Sequence, residues 1–207
     1  LAIRGDWPGA LATFEDNQAN HVGREFWYFR RGHYLYRTGR VAEAIVQFDH
    51  TWPRVWPFGL ADDSSYYTPR RLYYALALRE SAREEDAQRV AQHNRDDVAA
   101  ARRDGIAGPI VDLMEAELAI LDGDLNAALR LLPRGLMAEP FLSSIESDPL
   151  YAPLRGQASF MAAVAVERER RLRMREEFLR EACAAPADAP WRPLPASCAS
   201  VAAESGD

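Results

Sequence analysis

Residues 25–58, EFWYFRRGHYLYRTGRVAEAIVQFDHTWPRVWPF, contain the pattern that decides the fold. Within this stretch Gly39 is followed five positions later by Ala44, and Phe48 comes one helical turn after the alanine. Glycine is suited to end a helix in the left-handed conformation, and alanine is small enough to let two helices pack closely. The pattern therefore predicts a helical hairpin whose turn lies near Gly39.

The same spacing between a turn residue and an alanine recurs along the chain. Between Ala10 and Ala44 lie 44 minus 10, or 34 residues, and the later gaps are 87 minus 44, or 43, and 128 minus 87, or 41. The further copies are GDWPGA from Gly5 to Ala10, AREEDA from Ala82 to Ala87, and GDLNAA from Gly123 to Ala128. Recurrence at this distance predicts an array of helix pairs.

The stretch 25–58 resembles a tetratricopeptide repeat, whose period is about 34 residues. The residues that match this family are Tyr28, Gly32, Leu35, Ala44 and Phe48. Arg31 stands where the family usually has leucine, and Pro57 falls one place past the expected proline. The resemblance implies an all-α, TPR-like α–α superhelix of antiparallel helix hairpins over residues 1–182. The first helix of its N-terminal repeat would precede Leu1, so we expect this repeat to be incomplete.

Capping and turn residues mark the other elements that the sequence predicts. Proline after Thr68 and after Gly108 is typical of a first helical position, where its missing N–H costs nothing. We expect helices at about 69–82, 84–104, 109–122 and 159–182, the last serving as a polar cap. The Ala/Pro-rich tail, residues 183–207, is expected to be disordered.

The segment Asp148 to Phe160, DPLYAPLRGQASF, also carries a resemblance. It is similar to the C-terminal end of TPR-like arrays attached to bacterial winged-helix transcription regulators, adenylate cyclases and serine/threonine kinases. The matching residues are Asp148, Pro149, Leu154, Arg155 and Phe160. Gln157, Ala158 and Ser159 depart from the acidic residue and proline that usually precede the phenylalanine. The resemblance implies one part of a larger regulatory or signalling protein.

A partner-binding groove is the site that the resemblance implies, because first helices line the groove in this family. The candidate residues on these helices are Phe26, Phe29, His33, Tyr36, Arg37, Leu72, Leu76 and Arg79. An aromatic stripe edged with arginine suits an extended or helical peptide that carries a carboxylate. The alternative is that the stripe packs against another helix. The aromatic loop 51–68 also has two possible interpretations. It is either a functional loop, or its rings fill the space between neighbouring helix pairs.

Catalytic and metal chemistry find no support in the residue pattern. The histidines, His21, His33, His50 and His93, form no metal-ligand motif, and the chain has no glycine-rich phosphate loop and no lysine. We expect no enzyme, no cofactor and no metal. The formal charge of -6 argues against a nucleic-acid partner, and no apolar run approaches the roughly 20 residues of a spanning helix.

The sequence therefore predicts a non-catalytic module that binds a protein or peptide, or acts as a sensor. Two alternatives stay open: a small helical enzyme whose carboxylates and histidines meet only in the fold, and a structural domain that forms homo-oligomers. The two cysteines, Cys183 and Cys198, are either free thiols in the tail or partners closing a short loop. The pattern fits the bacterial cytoplasm and the periplasm equally well.

Overall fold

The computed structural model describes residues 5–17, 24–52, 71–139, 142–186, 189 and 198, although the side chains of residues 24–26 and 71 lie outside this description. The described residues form helices and turns and contain no β-strand. The α-helices are α1 (Trp7–Asp16), α2 (Arg24–Arg37), α3 (Val41–Thr51), α4 (Arg71–Glu80), α5 (Glu84–Arg103), α6 (Pro109–Asp122), α7 (Leu125–Gly135) and α8 (Ala158–Cys183). Three 3₁₀ helices, η1 (Leu136–Ala138), η2 (Leu142–Ser147) and η3 (Pro149–Leu154), lie between α7 and α8. The all-α prediction is confirmed.

Adjacent helices pack as pairs, α2 with α3, α4 with α5, and α6 with α7. The turns of the three pairs share one geometry. Gly39, Ala82 and Gly123 each adopt a positive φ, at 79°, 58° and 81°. The next backbone N–H donates across the turn in every pair, over 2.9 Å, to the carbonyls of Leu35, Leu78 and Ala119. This is the Schellman arrangement that ends a helix, so the copy that has Ala82 in place of glycine folds like the other two.

Small residues keep the same register in all three pairs. Each alanine of a second helix is preceded at the same distance by a small residue of the first helix, since 44 minus 32, 87 minus 75 and 128 minus 116 all give 12. These residues are Gly32 with Ala44, Ala75 with Ala87, and Ala116 with Ala128, and all of them are buried. A Cβ at Gly32 would lie 2.7 Å from the Phe48 ring. The close helix crossing therefore depends on the absence of a side chain there.

Aspartates cap three of the elements, α1, α7 and η3. Asp6 accepts a hydrogen bond from Gly9 N–H, and Asp124 accepts one from Ala127 N–H, both over 2.9 Å. Asp148 caps η3 in the same way, through Leu150 N–H. The element that begins at Pro149 is a short 3₁₀ helix.

The chain divides into two compact units, Leu1–Ala163 and Val164–Asp207. The predicted boundary at residue 182 stays a prediction, and so does disorder of the tail, most of which lies outside the described residues. Thr68, Pro69 and most of the aromatic loop 51–68 also lie outside them. In the second unit Cys183 and Cys198 form a disulfide, which decides between the two alternatives for these thiols. None of the described helices is long and apolar enough to span a bilayer.

Candidate interaction site

Four of the predicted groove residues lie on the described part of α2, and their side chains are buried. Phe29, His33 and Tyr36 are 5%, 7% and 3% exposed, and the Arg37 side chain is 1% exposed. On α4, Leu72 is buried, whereas Leu76 and Arg79 are half-buried. The side chain of Phe26 lies outside the described residues. Burial of these four side chains of α2 agrees with the alternative that the stripe packs within the chain, and the partner-binding role of the predicted groove residues stays a prediction.

Arg37 forms an ion pair with Asp148, a residue far along the chain in η3. One oxygen of this carboxylate, Oδ2, accepts hydrogen bonds from Arg37 Nη1 and from Tyr73 Oη, and the other accepts from Leu150 N–H. The Arg37 guanidinium also lies over the Trp7 ring, 4.1 Å from its centroid. A buried charge needs such partners, because an uncompensated one costs several kcal/mol.

Aromatic rings surround this ion pair. His33 stacks on Tyr73 with 4.3 Å between the ring centroids, and Trp7 approaches His33 from α1 at 5.5 Å. Tyr36 donates a hydrogen bond of 2.6 Å to Glu80. Burial, followed by this hydrogen bond, raises the pKa of Tyr36 well above its ordinary value. The hydroxyl therefore remains a neutral donor throughout the physiological range.

The segment 142–154, which we call the closing segment, lies against the first helices of the three pairs. Asp148 contacts α2 through Arg37 and α4 through Tyr73. Tyr151 donates to α6, since its Oη lies 2.8 Å from Glu117 Oε1, and it also lies 3.0 Å from Glu139 Oε2. Apolar side chains fill the remaining contacts of the segment. They are Leu142, Ile145, Leu150 and Leu154, all 3% exposed or less.

We call the side of α2, α4 and α6 that carries Arg37, Tyr73 and Glu117 the first-helix face. The structure brings His33, Tyr36 and Arg37 together there with Asp148, and it leaves Leu76 and Arg79 partly exposed. Arg79 donates to the Leu121 carbonyl over 2.6 Å, which ties α4 to α6. Sequence reasoning identified the Asp148–Pro149 motif but missed its role as an occupant of this face.

The described histidines other than His33 also pack against aromatic rings. Tyr28 stacks on His50 with centroids 4.9 Å apart, and Trp52 meets His93 edge to face at the same distance. His21 lies outside the described residues. Among the residues that the structure describes, no group of three His, Cys, Asp or Glu side chains could hold a metal ion.

Comparison with known proteins finds no match for this chain. The chain has no significant match among protein-family models, curated proteins or solved structures. The interpretation of the site therefore depends on the geometry of the first-helix face and the closing segment.

Proposed function

We propose that the chain is a non-catalytic, TPR-like interaction module that binds a protein or peptide, within a larger bacterial regulatory or signalling protein. The observation that supports this proposal is the common register of its three helix pairs. Gly32, Ala75 and Ala116 occupy one place in the three first helices, and the turns that follow share one hydrogen-bond pattern. Repeats of this kind stack into extended surfaces that bind other chains.

The chemistry of the first-helix face supports a peptide as the partner. Arg37 already holds a carboxylate, and aromatic side chains surround it. Leu76 and Arg79 of α4 are half-buried, so part of each side chain is open to solvent. An arginine beside apolar side chains suits a peptide that carries an acidic residue next to a hydrophobic one.

A peptide library screened against the full chain tests this function. Hits are measured by fluorescence anisotropy, and sedimentation gives the mass of the chain with and without peptide. We expect acidic–apolar peptides to bind a chain of unchanged mass. Failure of every peptide to bind, both to the wild type and to the variants described below, would exclude the function. A chain that binds nothing but self-associates would instead support the oligomerisation role.

The position of the surface is tested by two matched arginine substitutions. Arg79→Gln changes a partly exposed side chain of the first helix α4, whereas Arg89→Gln changes an exposed one on the second helix α5. We expect peptide affinity to fall in Arg79→Gln and to stay at the wild-type level in Arg89→Gln. Equal effects in the two variants would place the surface elsewhere.

A further inference from the structure

We propose that the closing segment is an internal ligand of the first-helix face. In this proposal the face recognises the sequence Asp-Pro-Leu-Tyr, present at residues 148–151, and an external peptide with the same sequence competes for the same place. The inference rests on the proposed function, because it names the ligand chemistry of that same surface. Three features of the described residues support it.

The first feature is an unused donor at the acidic position. The Arg37 side chain is almost fully buried, yet its Nη2 has no hydrogen-bond acceptor among the described residues. In the closing segment, Asp148 accepts from Arg37 Nη1 through Oδ2, and its Oδ1 accepts from Leu150 N–H. A carboxylate that is free of this capping contact could accept from both nitrogens of the guanidinium, which is the stronger geometry. Arg37 therefore has a donor, Nη2, that a carboxylate bound at this position can still use.

The second feature is the pair of contacts that the Tyr151 hydroxyl makes. Tyr151 is fully buried, and its Oη lies within hydrogen-bond distance of Glu117 and Glu139. A phenylalanine there would leave buried carboxylates without this contact. Sites built around a hydroxyl discriminate strongly against the analogue that lacks one. The ligand motif therefore requires tyrosine.

The third feature is the backbone of the segment, which consists of the 3₁₀ helices Leu142–Ser147 and Pro149–Leu154. Hydrogen bonds in 3₁₀ helices have poorer geometry than those in α-helices. In this proposal the segment, whose backbone lacks the hydrogen-bond ladder of an α-helix, opens locally at a lower free energy than the helical core. Because the internal ligand occupies the face most of the time, the apparent affinity for an external peptide is reduced in proportion.

A labelled peptide of residues 147–155, SDPLYAPLR, tests the proposal in anisotropy titrations with the full chain. Asp148→Asn removes the charge that pairs with Arg37 but keeps the cap of η3, since asparagine is also a good N-cap. Tyr151→Phe weakens the internal aromatic contact and leaves Arg37 and Tyr73 intact. We expect each variant to bind the peptide about ten-fold more tightly than the wild type. Asp124→Asn alters a cap of the same kind on α7 and is expected to bind like the wild type.

Two results would overturn the proposal. One is a pair of folded variants, verified by circular dichroism, that bind SDPLYAPLR no more tightly than the wild type. The other result is obtained with the wild type alone. It is a hydrogen-exchange measurement in which the backbone amides of residues 142–154 exchange only through global unfolding. We expect them to exchange faster than those of α6. If library peptides bind while either result is obtained, the interaction function stands and only the internal ligand is rejected.

Discussion

Arg37 and Asp148, which are 111 positions apart in the sequence, form an ion pair whose side chains are 1% and 2% exposed. This pair joins the first helix of one hairpin to the 3₁₀ segment that follows the last hairpin. Trp7 of α1 and Tyr73 of α4 also pack against this side of α2, next to Asp148.

The shared turn geometry predicts that Ala82→Gly stabilises the protein. Ala82 adopts a φ of 58°, whereas the two equivalent positions are glycines. The left-handed conformation costs a residue with a Cβ about 1–2 kcal/mol, so urea denaturation should show a gain of about 1 kcal/mol. Ala99→Gly, at an exposed site inside α5, is the matched control and should lose about 1 kcal/mol. Destabilisation by Ala82→Gly would contradict the turn.

The close crossing of α2 and α3 predicts that Gly32→Ala is destabilising. In an ordinary helix this change stabilises, because alanine is the better helix former. Here the added Cβ would lie 2.7 Å from the Phe48 ring, so we expect a net loss of about 1–3 kcal/mol by overpacking. Phe48→Leu should lower the stability of the Gly32→Ala variant by less than it lowers that of the wild type. Thermal unfolding of the four proteins measures this difference. A gain in stability from Gly32→Ala alone would refute the crossing.

How much of this structure could be predicted from the sequence depends on the range of the interactions. The helices Glu84–Arg103 and Pro109–Asp122 were predicted within a residue, because caps, proline and periodicity are local signals. Local periodicity also placed His33 and Tyr36 on one side of α2. It could not show what covers that side, because the covering residues come from α1, α4 and the distant closing segment.

Two buried tyrosines, Tyr36 and Tyr74, should lose their protons at a higher pH in the native chain than in the unfolded chain. Burial and hydrogen bonds to Glu80 and Asp49 raise the pKa values of Tyr36 and Tyr74 above the ordinary value of 10.0. A raised pKa means that this contribution to stability is complete below about pH 10 and is lost as the pH rises further. We expect tyrosinate absorbance of the native chain to lag behind that of the urea-unfolded chain, and Tyr36→Phe to reduce the lag. Identical titrations of native and unfolded chains would contradict the burial.

Loss of the disulfide should loosen the end of α8. Cys183 and Cys198 close a loop over a sequence separation of 15, for which the chain-entropy model gives about 3 kcal/mol. Hydrogen exchange near Ala182 is expected to become faster in Cys198→Ser and, to the same extent, in the reduced wild type. Titration of the unreduced native protein should find no free thiol. Two reactive thiols in that assay would contradict the bond.

The most direct measurement of the account is a double-mutant cycle of Arg37→Met with Asp148→Asn, followed by urea denaturation. Arg37→Met alone leaves a buried carboxylate without its main cation, so we expect a loss of about 3–5 kcal/mol. The coupling between the two changes should be about 2–3 kcal/mol. The more exposed pair of Arg31 and Glu15 serves as the comparison and should give a coupling below about 1 kcal/mol. A coupling for Arg37 and Asp148 as small as that of the comparison pair would mean that the closing segment does not occupy the first-helix face.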